Sequence, residues 1–330
     1  YDIDPAALKQ FFQLDTDGCY AAQQNSSFTD LSCTPHKDDD PLNGLDLLDL
    51  ILINRHIVGL EPLSSPYSMI AADMNNSRSI TTFDIVEGRK LLTGLYDSLP
   101  NADSWRFVNA DYFFPNPNNP FQTIFPEIKN VTAINDTIQG EYTFLAIKTS
   151  DVNCSASPNL KPAPAPRQSA LLQISDRLLE AGETVEIPVS PGESGAWLGF
   201  QFGLEFDPDL LVLEAVLPGN LPGWDTYTAV QPRPGLLNFL WFDHSPLVLP
   251  AGTPIFSLRL RALATVRPGA ALRFANGRLE ARAYDAAMQN RRLALEFISG
   301  STDQVRIGAP QPNPTAAGAR IELELSGAMP

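Results

Sequence analysis

Two stretches of this 330-residue chain, "LDLLDLILINRHIVGL" and "SITTFDIVEGRKLLTGL", align at an offset of 35 residues, and this duplication constrains the fold more than any other feature. Self-similarity at such a period means one supersecondary unit used twice. Asp49 falls on Asp84, Arg55 on Lys90, Gly59 on Gly94 and Leu60 on Leu95. After each Asp the apolar residues recur at helical spacing: Leu50, Ile53, Ile57 and Leu60, then Ile85, Leu91, Leu92 and Leu95. A glycine near each end suits the left-handed C-cap. The reading is two loop-plus-helix units.

What precedes the second helix, "DMNNSRSITTFD", sets short oxygen-bearing side chains at alternate positions and closes on a carboxylate at position twelve. A large hard cation needs several oxygens converging from one tight turn. The frame assigns Asp73, Asn75, Ser77, the Ser79 carbonyl, Thr81 and Asp84 as calcium ligands, with Ile80 buried. Projected back from Asp49, the same frame assigns Asp38, Asp40, the Gly44 carbonyl, Asp46 and Asp49, with Leu45 buried. Leu42 stands at position 5 there and cannot ligate, so this loop is expected to be irregular or weak. Clusters of Asp, Asn and Ser also serve as N-caps and turns; the duplication is what favours a calcium pair.

Residues 38–96 resemble the dockerin family, in which two calcium loops, each closed by Asp, are each followed by one helix. The likeness is closer to dockerin-like modules of secreted and surface proteins of Bacteroidetes. There a continuation like "SWRFVNADYFFPNPNNPFQTIFPE" and a closing "FLAIKTSDVNCSAS" accompany the pair, which extends the module over 36–157. The resemblance implies a partner surface at Leu47, Leu48, Thr82 and Phe83, with Asn54, Arg55, Arg89 and Lys90 on the helices. The competing reading packs Leu47, Leu48 and Phe83 against the Trp105–Phe114 continuation.

Residues 155–168, "SASPNLKPAPAPRQ", alternate Pro with Ala and read as a semi-rigid spacer, the linker proper being 158–168. Short alternating runs separated by turn residues follow. Phe200, Phe202, Leu204 and Phe206 face one way while Gln201, Gly203 and Glu205 face the other, the period of a half-buried strand. Runs of this kind over 169–300 argue for an all-β sandwich or jelly roll. Their order resembles the cohesin family, the receptor that dockerins bind. Trp197, Trp224, Tyr227 and Trp241 are the alternative: a stacking platform for a polysaccharide, unless they are core. The last stretch, 308–330, with Pro312-Asn313-Pro314 and alternating Ile321, Leu323 and Leu325, resembles the start of a type IX secretion sorting domain. Residues 1–35 match nothing legible.

Composition closes off other classes. With 44% hydrophobic residues the chain has enough to bury real cores, and 29 prolines favour turns over long helices. The formal charge of −15 is concentrated in residues 1–160, with 21 acids against 9 bases. That balance repels nucleic acid and attracts divalent cations. No apolar run is long enough to span a membrane. Cys19 and Cys33 suit a small disulfide in an exported protein or remain free with Cys154; no paired spacing suggests zinc. Three histidines lack partners at repeating spacing, and "WFDHSP" sets Asp, His and Ser side by side on a strand, where neighbours face opposite ways. The expectation is a non-catalytic, secreted or surface assembly module. A calcium-binding dockerin-like domain would pair with a cohesin-like domain of the same chain or a neighbour. The alternative is a carbohydrate-binding region of a polysaccharide-degrading enzyme.

Overall fold

The computed structural model describes residues 12–14, 20–22, 30–132, 143–156, 168–299, 305–307 and 323–325. The side chains of Cys19 and Cys33, the Pro/Ala linker and nearly all of the C-terminal segment lie outside them. Both repeats form helices where their periodicity predicts: α1 is Leu47–Ile57 and α3 is Thr82–Thr93. Asp46 and Thr81, themselves 35 residues apart, are the N-caps. Asp49 and Asp84 reach back to the cap N–H groups, so each helix opens with a reciprocal capping box. Gly94 ends α3 in the left-handed conformation at φ 80°. Leu60 and Leu95, expected on the apolar faces, are about half exposed, since each lies beyond its helix end. Between the repeats sits α2, Pro66–Ala72, which the repeat comparison does not foresee.

The continuation wraps this helical unit in short ladders. Strand β3 (Asp30–Cys33) pairs β5 (Lys129–Thr132), and β4 (Trp105–Asn109) pairs β6 (Phe144–Lys148). Strands β1 (Phe12–Leu14) and β2 (Tyr20–Ala22) form a further antiparallel pair.

Residues 168–299 build the sandwich. Its strands are β7 (Gln168–Ser175), β8 (Thr184–Pro191), β9 (Gly195–Phe206), β10 (Leu211–Pro218), β11 (Ala229–Arg233), β12 (Leu236–Leu249), β13 (Phe256–Ala262), β14 (Leu272–Phe274), β15 (Arg282–Asp285) and β16 (Asn290–Ile298). One hydrogen-bonded path runs β10-β13-β8-β7-β16-β15-β9-β12-β11, with β14 also on β9. The first and last strands, β7 and β16, pair in parallel. The path folds over on itself: Phe239 of β12 stacks on Phe256 of β13 at 4.6 Å although the two strands lie on opposite limbs. Phe200, Phe202, Leu204 and Phe206 point into that core as the alternation predicts. Strands β17 (Val305–Ile307) and β18 (Leu323–Leu325) form a separate pair.

The opposite face of β9 and β12 is not left to solvent. Leu198, Leu240, Leu279 and Tyr284 of the sandwich share one buried cluster with Leu47, Leu50, Ile53 and Leu91 of the helical unit. A bulge makes this possible: the β9–β12 register shifts between Phe242 and Leu247, and the β9–β15 register between Tyr284 and Asp285. Leu198 thereby turns outward while Trp197 and Phe200 both stay in the core.

Candidate functional site

Two places carry the chemistry foreseen in the sequence: the loops before the helices, and the contact between helices and sandwich. In the loop before α3, Asp73 and Asp84 are fully buried. Asp73 accepts from the N–H groups of Ser77 (2.8 Å) and Arg78 (2.9 Å). Asp84 accepts from those of Asn75 (3.2 Å) and Thr81 (2.8 Å). Burial pushes both carboxyls above their usual range, and the charge of Asp73 adds to the effect on Asp84. Asn76 and Arg78 take left-handed φ of 55° and 63° to close the coil. The backbone N–H of Arg78 is held by Asp73, and its guanidinium donates to the Phe121 and Thr123 carbonyls at 2.9 and 3.0 Å. The Ser77 hydroxyl donates to the Ser79 carbonyl at 3.3 Å. Asp73, Asn75, Ser77, Ser79, Thr81 and Asp84 thus belong to one compact coil whose donors are all oxygen, the set that a hard divalent cation takes. Among the described residues no cluster of three or more His, Cys, Asp or Glu is arranged for a metal; this coil has two carboxylates only.

The loop before α1 departs from the projected frame. Asp49 is fully buried, and its carboxylate accepts from the N–H groups of Asp46 and Val152, both at 2.9 Å. Burial, then the charges of Asp46 and Asp151, push it well above the usual range. Asp38 and Asp40 are exposed. Asp38 accepts from the Ser104 N–H at 2.9 Å, which holds its carboxyl low. Leu45 is buried, as expected at position 8, whereas Ile80 is half-buried rather than buried. The carboxylate that acts on Asp49 from outside its own segment is therefore that of Asp151, not those of Asp38 and Asp40.

The helix–sandwich contact uses much of the expected partner surface. Leu47 is fully buried, its Cδ2 only 2.7 Å from where a Cβ on Gly199 would stand. Its N–H, an orphan of the first helical turn, donates to Gln201 Oε1 at 2.7 Å. At the far end of α3, Asn238 donates to the Thr93 carbonyl at 2.9 Å, and Arg278 donates to the Leu91 and Tyr96 carbonyls, both at 2.7 Å. A cation at a helix C-terminus also meets the negative end of the macrodipole. Gln201 and Asn238 are buried polar residues on the outer sheet face, and the helix ends are their partners. Arg89 grips Asp225 bidentately at 2.6 Å, and Arg55 donates to the His244 carbonyl at 2.8 Å. Burial would raise the Asp225 carboxyl, but Arg89 brings it below the usual range. Asp46 accepts from Arg282 at 3.0 Å and from the Tyr284 hydroxyl at 2.7 Å. Lys90 turns to Glu87 and Tyr96, both at 3.1 Å, and its ammonium lies 5.9 Å from the Tyr227 ring. Leu48 is half-buried; Thr82 is exposed, and Phe83 is 71% exposed.

Trp197 and Trp241 are core residues, each 2% exposed, and Trp241 donates to the Pro222 carbonyl at 2.7 Å. Trp224 packs against Phe239 and Phe256, and Tyr227 lies beneath Arg89 at 5.6 Å. Two of the four aromatic residues are therefore core, while Trp224 and Tyr227 are half-buried. Cys154 is a free, exposed thiol. His244 Nδ1 lies 2.8 Å from Asp243 Oδ1. No helix of the described residues is long and apolar enough to cross a membrane.

No family model matches the chain, and no curated protein does. Solved structures similar to part of it include a type I cohesin–dockerin complex from Clostridium thermocellum, at 18% identity and TM-score 0.32, covering 41% of this chain and 94% of that one. A non-cellulosomal cohesin from Archaeoglobus fulgidus is similar at 16% identity and TM-score 0.29, over 38% of this chain and 86% of that one. A type I cohesin from Pseudobacteroides cellulosolvens is similar at 18% identity and TM-score 0.30, over 40% and 88%.

Proposed function

We propose that this chain is a non-catalytic, exported assembly module in which a calcium-stabilised, dockerin-like pair of loop–helix units docks on a cohesin-like sandwich of the same chain. The observation that carries the reading is the helix–sandwich contact. It has an apolar centre, both helix ends satisfied by sandwich side chains, and charged pairs at Arg89–Asp225 and Asp46–Arg282. This is the anatomy of a specific protein interface, with a desolvated middle and a polar rim. Part of the surface that the dockerin resemblance assigns to a partner, Leu47, Arg55 and Arg89, is here occupied from within, while Thr82 and Phe83 stay exposed. Calcium is read from the all-oxygen coil of Asp73 to Asp84, whose two buried carboxylates a divalent cation would neutralise. Export is read from the resemblance of the tail to a sorting domain.

The test is the hydrodynamic size and scattering envelope of the intact chain in calcium across a range of concentrations. A compact monomer at every concentration is the expected result. Growth into chains as concentration rises would mean that the helical unit serves a neighbour instead, as a head-to-tail contact would require. An extended monomer with two separate bodies in calcium would sink the docking itself. The carbohydrate-binding alternative keeps only Trp224 and Tyr227, both half-buried, since Trp197 and Trp241 are core residues.

A further inference from the structure

We propose that the helical unit holds a second calcium site assembled from its two ends: Asp151, Asn153 and Ser155 from after β6, with the Gly44 carbonyl and Asp49 from before and within α1. This rests on the reading of Asp73 to Asp84 as a calcium loop. The segment "DVNCSA" at 151–156 repeats the spacing of "DMNNSR" at 73–78, with Asp, Asn and Ser at alternate places.

The correspondence continues in the structure. Asp151 accepts from the N–H groups of Ser155 (2.9 Å) and Ala156 (2.8 Å), as Asp73 does from Ser77 and Arg78. In each case the closing Asp accepts from an N–H early in the loop, Asp49 from Val152 at position 2 and Asp84 from Asn75 at position 3. The Ser155 hydroxyl donates to the Gly44 carbonyl at 3.0 Å, as Ser77 does to Ser79. Cys154 takes φ 60° where Asn76 takes 55°.

The split loop is a twelve-position loop cut between positions 6 and 7. Ala156 occupies position 6 and Gly44 position 7, and a Cβ on Gly44 would lie 2.7 Å from the Cβ of Ala156. The cut ends therefore touch, and Gly44, at φ 82°, has the space and conformation that the junction needs.

A separate observation points to a ligand. Asn153 Oδ1, in the place that Asn75 holds, is sealed from solvent and has no hydrogen-bond partner. A buried acceptor left without a donor is costly unless a cation meets it. Asp49 and Asp151, 0% and 6% exposed, accept only from backbone N–H groups, and no basic side chain forms an ion pair with either among the described residues. The Lys148 ammonium, three residues before Asp151, acts on Asp151 but donates to the Pro41 and Thr149 carbonyls rather than to either carboxylate, so two buried carboxylates and an orphaned amide oxygen still face one another with a single positive charge nearby.

The experiment is calcium stoichiometry by equilibrium dialysis on the full chain, with folding of each variant checked by circular dichroism. Two ions are expected. Asn153→Ala and Asp151→Asn are each expected to leave one, Asp73→Asn to leave the other one, and Asp38→Asn with Asp40→Asn to leave both. Asn153→Ala deletes the orphaned oxygen and no hydrogen bond made by it, so it keeps the test open where Asp151→Asn fails to fold. Retention of two ions by Asn153→Ala, or loss of one on substituting Asp38 and Asp40, would overturn the split site. A single ion lost only with Asp73→Asn would overturn it while leaving the Asp73 to Asp84 loop standing. No ion at all would overturn both.

Discussion

At the residue scale, the contact between helices and sandwich rests on a few groups whose removal has a sign that can be worked out. The Tyr284 hydroxyl donates to Asp46 inside the buried cluster, so Tyr284→Phe deletes a charge-assisted bond and leaves the carboxylate with Arg282 and the Leu48 N–H. The expected loss is about 2 kcal/mol of stability in urea unfolding; no loss would mean that the hydroxyl is replaced by water. Arg89→Ala leaves Asp225 partly buried without its partner, and as the pair is partly solvated about 1–2 kcal/mol is expected. His56 offers a pH test. Its Nδ1 accepts from the Leu63 N–H at 3.1 Å, and burial lowers its pKa below the ordinary 6.5. A depressed folded-state pKa contributes stability that is present above the unfolded value and lost as pH falls through the folded one. Thermal stability should therefore fall as pH drops below about 6.5, and His56→Gln, which keeps an acceptor, should flatten that slope.

At the element scale, α1 and α3 have capping boxes of their own, yet helices of 11 and 12 residues are marginal alone. Their stability comes from burial against each other and against β9 and β12. Chelation of calcium from the intact chain is expected to lower the helical signal at 222 nm while leaving the sandwich, which has no part in the loops, folded. An unchanged helical signal in chelator would show that caps and packing suffice. Gly199 marks where α1 meets the sheet. A Cβ there would lie 2.7 Å from Leu47 and 2.8 Å from the Trp241 carbonyl oxygen, so Gly199→Ala should destabilise by about 1–3 kcal/mol in spite of the better strand propensity of Ala. A stabilised variant would mean that the helix moves away freely.

At the scale of the whole molecule, the two halves share a continuous buried cluster, so unfolding of the intact chain in calcium should follow one transition or two closely coupled ones. Reversing Arg89 and Arg278 to Glu together places carboxylates against Asp225 and at the carbonyl end of α3. The helical unit should then become sensitive to protease while residues 168–299 resist. Equal resistance of both halves would mean that the polar rim contributes little to docking.

Much of this was legible in one dimension. The 35-residue repeat yielded both long helices and the left-handed glycines that close them, Gly59 and Gly94, because helical periodicity and C-capping are local; that Asp46 and Thr81 are the N-caps came from the structure. The alternation in β9 yielded its core face, because a strand's faces differ by one residue. The outer face read as polar and half-exposed, and only the tertiary structure showed that Gln201 and Asn238 are buried beneath helix ends more than a hundred residues away in sequence. The same limit applied to the loop before α1. Projecting the frame backwards from Asp49 reached Asp38 and Asp40, since a frame assumes a continuous chain. Asp151 faces Asp49 because the β4–β6 ladder carries residues 149–156 back to the start of α1, and that return is a matter of strand pairing, which local spacing does not encode.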